Sequence, residues 1–412
     1  MKTTLTQYFS KTLLSGVLGL TTYALLSGGS MLWAGTEPGY SHDGGVNVYQ
    51  QNWMSKVPSN FKLSYLSLPG THDTMSRMTD GPVAQTVALY GQTQSMDLQN
   101  QLDAGIRVLD IRIGFWSDTF LTCHGPIVQD GAFQDVLATV VKFLNNYPSE
   151  TVLMRVKYEH NFGGNTRTFE QVFQQDYWNG PLSHYFWQGT NSNPTLAEIR
   201  GRIVVLDDFS TNGSHYGIAY NSFFTQDNYA LRNNWDLYAK WIDVKHQLTL
   251  AHNIGLVYIG PRCEIEITDQ VFCNYIYYPP TSHTMVTPWA KYDTDALEDL
   301  RFMNYLSGAA AAVGDTVYPY FVASGKSSPA TDAPRLATGK TTPGWSDWPD
   351  FPRVDCLLGI CTIAFEGTNN LTYNWLGDNN PKRVGIIMAD FPGPGLIQRI
   401  IDVNSRLAQM GF

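Results

Sequence analysis

Short apolar runs rich in Val, Ile and Leu recur along the chain, at residues 63–68, 106–111, 151–156, 203–206, 256–259 and 384–388. They show little two-residue alternation, which is the pattern of strands covered on both faces. Between them, Phe133, Val136, Leu137, Val140, Val141 and Leu144 fall on one helical stripe that stops before Pro148. Asn193-Pro194 predicts a second helix start, Asn capping and Pro opening the first turn, that runs through Leu196 and Ile199 to Gly201. Leu297, Leu300 and Met303 predict a third helix after Thr294, and Leu396, Ile397, Ile400, Ile401 and Val403 a last one. Buried strands alternating with amphipathic helices imply parallel pairing through crossover connections. The expected fold class is therefore α/β: a single, distorted TIM-type α/β barrel over residues 46–412, with a doubly wound sheet as the alternative. Residues 260–361 are expected to be a long insertion before the last strand, with residues 256–259 or 362–365 as the seventh strand. Inside that span, residues 323–351 are dominated by Ser, Pro, Thr, Gly, Ala and Asp, with Trp345 and Trp348 near the end, and read as a long surface loop.

Residues 1–34 stand apart from this rhythm. Lys2 and Lys11 precede an apolar stretch that gives way to Gly28, Gly29, Ser30 and Ala34, the order of a secretory signal peptide, with an uncleaved anchor as the alternative. Export would expose the 5 cysteines to oxidation. Cys263 with Cys273, and Cys356 with Cys361, are close enough in sequence to close short loops, leaving Cys123 over; the connectivity stays open, and so does a fully reduced set. Composition adds that 43% of residues are apolar and 15% charged, enough to bury a large core. The 27 Lys+Arg set against 36 Asp+Glu give a net charge of −9, which lacks the basic footprint of a general nucleic-acid binder.

Familiar catalytic signatures are excluded. There is no G-x-S-x-G and no H-E-x-x-H, and Gly393-Pro394-Gly395 is followed by Gln398 where a dinucleotide loop needs its third glycine. Gly325-Lys326-Ser327 and Gly339-Lys340-Thr341 lack the first glycine of a P-loop. What remains is a set of titratable residues just after buried strands. Ser67-Leu68-Pro69-Gly70-Thr71-His72-Asp73 closes the first strand, Leu109-Asp110-Ile111-Arg112 the second, and Thr122-Cys123-His124-Gly125-Pro126 a short third over residues 120–122. In a parallel barrel such ends share one rim, where catalysis is built. Two imidazoles with a guanidinium between them suit in-line attack on a phosphodiester: a base, an acid, and fixed positive charge for the non-bridging oxygens.

Leu68-Pro69-Gly70-Thr71-His72-Asp73, Gly105-Ile106-Arg107-Val108-Leu109-Asp110-Ile111-Arg112, Cys123-His124-Gly125-Pro126 and Ser149-Glu150-Thr151-Val152-Leu153-Met154-Arg155-Val156-Lys157 resemble, in order and spacing, the X domain of phosphatidylinositol-specific phospholipase C. They look like the compact, metal-independent bacterial branch in particular. The resemblance spans residues 50–230 and resumes at Lys382-Arg383-Val384-Gly385, ending at Asp390. It implies His72 as the general base for the inositol 2-hydroxyl, oriented by Asp390, and His124 as the general acid for the diacylglycerol oxygen, partnered by Asp73. It also implies Arg112 as the phosphate-stabilising cation, standing where calcium-dependent relatives hold an acidic ligand, with Asp110 positioning the cluster. Lys157, Asp227 and Tyr229 match head-group contacts, and no metal or other cofactor is implied. The chain departs from the bacterial pattern at Asp207-Asp208, where that pattern places a basic residue on the inositol.

The expectation is thus a secreted or periplasmic phosphodiesterase that produces diacylglycerol and a cyclic inositol phosphate. It would be monomeric, would bind no nucleic acid, and would meet its phospholipid as a peripheral protein. A net negative charge leaves membrane contact to apolar side chains, and the resemblance implies that Pro82, Val83, Val87, Leu89 and Tyr90 match the family's short membrane-touching helix. The alternatives are a phosphodiesterase for a different head group on the same barrel, and a non-catalytic lipid or inositol-phosphate binding protein.

Overall fold

The computed structural model describes residues 38–77, 92–231, 237–254, 299–307, 309–310, 353–357, 360–364 and 367–410. The expected signal segment, the stretch from Pro82 to Tyr90, Cys263, Cys273, residues 256–259 and the loop 323–351 lie outside the described residues.

The strands are β1 (Leu68–Thr71), β2 (Val108–Trp116), β3 (Thr119–His124), β4 (Ile127–Ala132), β5 (Val152–Gly163), β6 (Ile203–Asp208), β7 (Ile218–Ala219), β8 (Phe224–Gln226), β9 (Ala230–Leu231), β10 (Phe302–Tyr305), β11 (Ala309–Ala310), β12 (Arg353–Leu357), β13 (Ile360–Ala364) and β14 (Ile386–Ala389). The main sheet runs β7-β6-β5-β2-β1-β14-β10-β8 with every neighbouring pair parallel. Its two edge strands, β7 and β8, are consecutive in the chain and joined by the 3-10 turn Tyr220–Ser222. The sheet therefore curls back to where it began, as a distorted α/β barrel with one seam unpaired among the described residues. The doubly wound alternative would have kept those edges apart.

Local chemistry accounts for the wall. At Gly70 a Cβ would run into Met388 Sδ on β14 and Val108 Cβ on β2, so only glycine lets β1 sit between its two partners. Helix α1 (Leu98–Ala104) ends on Gly105, whose φ of +113° reverses the chain into β2 at no steric cost. The predicted stripe becomes α2 (Phe133–Asn146), which buries Phe133, Val136, Leu137, Val140, Phe143 and Leu144. Short helices α3 (Phe169–Val172) and α4 (Leu196–Ile199) follow, then α5 (Leu237–Ile254), α6 (Thr368–Asn379) and α7 (Pro394–Gln409). Pro394 opens α7, whose Leu396, Ile397, Ile400, Ile401 and Val403 are buried as their spacing predicts.

Several expectations are corrected. Residues 63–65 are a 3-10 turn, and β1 starts at Leu68. Thr195, not Asn193, caps α4, because Asn193 Oδ1 accepts from Ser64 N at 2.8 Å and is drawn to the neighbouring turn. Met303 belongs to strand β10 rather than to a helix. Phe302, Met303, Asn304 and Tyr305 are all buried between β14 and β8, and continuous burial on both faces overrides helical spacing. These residues are barrel wall although they fall within residues 260–361. Residues 362–364 are not a barrel strand, since they lie in β13, which pairs antiparallel with β12 away from the main sheet. In that hairpin the backbones of Cys356 and Cys361 stand directly opposite one another. Segment 120–122 lies in β3, which doubles back antiparallel on β2.

The strand ends opposite the candidate site are locked by Arg107 and Glu150. Both side chains are fully buried and lie 2.8 Å apart, and the guanidinium also donates to the carbonyls of Leu102, Ile106, Gln50 and Gln51. Glu150 in turn accepts from Met54 N at 3.0 Å, so one ion pair ties residues 50–54 to the starts of β2 and β5. Glu150→Ala leaves that guanidinium buried and unpaired, and is expected to cost about 3–5 kcal/mol. Denaturant unfolding measures this; an unchanged midpoint would contradict the assignment.

Candidate active site

Strand register delivers the first two groups. Thr71 on β1 lies opposite Ala389 on β14, so His72 and Asp390 leave the sheet side by side and His72 Nδ1 meets Asp390 Oδ1 at 2.8 Å. Gln94 fastens this exit, its Nε2 donating to the carbonyls of His72 (2.8 Å) and Ala389 (3.0 Å). On the other flank Thr71 faces Leu109, which brings Asp110 beside the turn after β1. Asp110 Oδ2 accepts from Asp73 N at 2.9 Å, and Asp110 N donates to Thr74 Oγ1 at 2.8 Å. Asp73 itself sits at φ +41°, and Phe391, directly after Asp390, at φ +46°. Left-handed backbone at non-glycine residues is strained, and here it flanks both imidazole partners.

Arg112 projects from the same face of β2 as Asp110, two residues on. Its Nε and Nη2 each lie 3.2 Å from Asp110 Oδ2, its Nη1 3.5 Å from Glu159 Oε1, and its Nε 3.8 Å from Asp73 Oδ2. Its Nη2 also stands 2.7 Å from His72 Nε2. With a carboxylate at Nδ1, neutral His72 carries its proton there and turns the Nε2 lone pair toward Arg112. His124 returns to the group along the β2–β3 hairpin, its Nδ1 3.3 Å from Asp73 Oδ2 and 3.4 Å from Ser76 Oγ. The structure therefore gathers His72, Asp73, Asp110, Arg112, His124 and Asp390 into one cluster around a single guanidinium.

The expected head-group residues are gathered less completely. Lys157 stands beside Arg112 in the β2–β5 register and pairs with Glu159 at 2.7 Å. Asp227 is exposed just past β8, within electrostatic reach of Tyr220, Tyr305 and Lys240. Tyr229 is 58% exposed and outside the bonded cluster. Among the described residues no group of three or more His, Cys, Asp or Glu side chains is arranged to hold a metal ion, and no helix is long and apolar enough to cross a membrane. Cys123 is a buried free thiol whose pKa burial pushes up.

Three participants escaped the sequence reading. Arg155 donates to Asp110 Oδ1 (3.2 Å), to Tyr305 Oη (3.1 Å) and, through Nε and Nη2, to Asp208 Oδ2 (2.9 and 2.6 Å). Glu159 links Arg112 and Lys157 and accepts from Gly125 N at 3.3 Å. Tyr305 stands edge-on to the His72 ring at 5.8 Å. The first two carried a signal: Arg155, Lys157 and Glu159 alternate with Met154, Val156 and Tyr158, so charges line the inner face of a strand. Tyr305 carried none, since its strand was read as helix.

Charge sets the protonation states. Burial alone would raise the Asp110 carboxyl, but the Arg112 and Arg155 guanidiniums hold it far below the usual range. Burial raises Asp73, against the pull of Arg112 and His124. For His72 burial works downward, yet the Asp390 carboxylate beside Nδ1 overcomes both burial and Arg112, and the pKa is raised above its ordinary value.

Fold and site together define a barrel enzyme scaffold with two carboxylate-backed imidazoles about one arginine. Residues 66–208 match the family model described as phosphatidylinositol-specific phospholipase C, X domain. A 1-phosphatidylinositol phosphodiesterase of Listeria monocytogenes serovar 1/2a is 37% identical over 169 residues, covering 40% of this chain and 51% of the relative. The matched region thus spans about half of that protein's length. The 1-phosphatidylinositol phosphodiesterase of Staphylococcus aureus strain Newman is 27% identical over 299 residues, 72% of this chain and 86% of the relative. Among solved structures, the phosphatidylinositol-specific phospholipase C from Listeria monocytogenes superposes with a TM-score of 0.54 at 23% identity, over 86% of this chain and 99% of that one. This last likeness is one of fold, and it agrees with the α/β barrel.

The balance at His72 has a measurable consequence. Asp390→Asn removes the largest upward influence and leaves burial and Arg112 opposed only by the smaller upward pull of Asp110, so the His72 pKa should fall. Histidine side-chain NMR titration reads this directly; an unmoved titration would contradict the pairing.

Proposed function

We propose that this protein is a phosphodiesterase of the phospholipase C type that cleaves phosphatidylinositol-like lipids between glycerol and phosphate. The observation that carries the reading is the cluster itself: His72 backed by Asp390, His124 beside Asp73, and Arg112 within reach of both. The names of the Listeria and Staphylococcus relatives point to the same substrate class. In the free enzyme Arg112 covers the Nε2 lone pair of His72. A phosphodiester entering between the imidazoles offers Arg112 two anionic oxygens, a stronger partner than a neutral ring, and releases Nε2 to act as base.

His72 then takes the proton of the inositol 2-hydroxyl, and that oxygen attacks phosphorus. The bond from phosphorus to the glycerol oxygen breaks, and His124 supplies the proton that the departing oxygen needs. The products are diacylglycerol and a cyclic inositol phosphate. Arg112 neutralises charge on the non-bridging oxygens as it builds. Because the acceptor hydroxyl belongs to the substrate, head groups without a hydroxyl next to the phosphate are poor substrates. The expected N-terminal signal supports a secreted or periplasmic protein. The net charge of −9 supports peripheral membrane contact through apolar side chains rather than through general attraction to anionic lipid. We take the working unit to be a monomer.

His72→Ala and His124→Ala should each lower kcat on phosphatidylinositol vesicles by at least about 10³-fold with the fold intact. Retention of more than about a tenth of the rate removes that residue from the mechanism. Turnover should persist in EDTA, since the scheme assigns the positive charge to Arg112; abolition by EDTA overturns that assignment.

A further inference from the structure

Asp208 ends β6, and its side chain is 31% exposed while Arg155 beside it is 8% exposed. Both guanidinium donors facing this carboxylate, Nε at 2.9 Å and Nη2 at 2.6 Å, go to the same oxygen, Oδ2. Among the described residues Oδ1 takes no hydrogen bond, so one carboxylate oxygen stands open at the barrel rim. The guanidinium lies 4.0 Å over the Tyr220 ring, and Tyr220 donates to Tyr305 Oη at 3.0 Å. Arg155 Nη1 reaches the other way, to Asp110 Oδ1 at 3.2 Å, and Asp110 holds Arg112 through Oδ2. One planar cation thus couples the exposed carboxylate to the phosphate-facing arginine, with its plane fixed by a ring beneath it.

An open carboxylate oxygen next to an immobilised guanidinium and a tyrosine ring is suited to a neutral polyol, whose hydroxyls donate to the one and lie against the other. It is unsuited to a second anion, which it would repel. We propose that Asp208 is a specificity-determining residue that accepts a hydroxyl of the head-group ring, and that Arg155 is the positioning residue that holds Asp208 and the Asp110–Arg112 pair in one frame. This rests on the phospholipase C reading for the identity of the ring. Sequence alone leaves the pair unassigned, because the cation sits on β5 and the carboxylate on β6.

The test uses the full-length protein and two probes, myo-inositol for the ring and inorganic phosphate for Arg112, with binding followed by calorimetry or NMR. Asp208→Asn is nearly isosteric and partly exposed, so it keeps the fold, yet it replaces the open acceptor by an amide. It should weaken myo-inositol by about fivefold or more and leave phosphate within about twofold. On phosphatidylinositol vesicles the same variant should raise KM with little change in kcat. Arg155→Met should weaken both probes, and Arg155→Lys should restore phosphate better than myo-inositol, since an ammonium carries the charge without the planar fork. A smaller change in myo-inositol binding for Asp208→Asn, or an equal loss of phosphate, overturns the proposal even if the Arg155 variants fail to fold. Wild-type protein that turns over phosphatidylinositol but does not bind myo-inositol overturns it too. Inositol binding weakened by Asp208→Asn in a protein without turnover would instead refute the catalytic reading and leave the subsite standing.

Discussion

The site depends on one buried carboxylate. Asp110 is fully buried at the mouth of the barrel, and its two oxygens together hold the Asp73 backbone, the Arg112 guanidinium and the Arg155 guanidinium. A buried carboxylate is tolerable only when its lone pairs are taken up, and a buried guanidinium only when its charge is met. Each of these groups therefore makes the others affordable inside the protein. The arrangement also fixes geometry, because the turn that presents His72 and Asp73 is bonded to the same side chain that aims Arg112. A change in one member should be felt by the rest.

Under the proposed function, this arrangement would let an acidic chain recognise an anionic ester. Arg112, Lys157 and Arg155 are each met by a carboxylate, namely Asp110, Glu159 and Asp208. With these cations matched by carboxylates, recognition of an anion would depend on fixed donors at short range rather than on a long-range positive field. Such a site discriminates by shape and hydrogen bonding.

The candidate site residues were legible because each sits within a few residues of a strand end, so that local motifs carry most of the placement. His72, Asp110, Arg112 and Asp390 follow from β1, β2 and β14 once those strands are recognised as neighbours in a parallel barrel. His124 was legible as a residue but not as a geometry: it arrives on an antiparallel hairpin, and only the cross-strand register shows this. The barrel wall was harder to read near β10, where Leu300 and Met303 mimic helical spacing in a strand buried on both faces. The pairing of Arg155 with Asp208 was not legible, although the alternating charges of β5 were. An ion pair between adjacent strands leaves no mark in either strand alone, and its partner Tyr305 comes from a third, distant segment.

The most direct test of the central claim, that a substrate hydroxyl is activated at His72 and attacks phosphorus in place, is phosphorus NMR of phosphatidylinositol vesicles from the first moments of exposure to the protein. The account predicts that the earliest water-soluble phosphorus species is the inositol 1,2-cyclic phosphate, with any open monoester appearing only later. An open inositol phosphate formed from the outset, with no cyclic precursor, would contradict it.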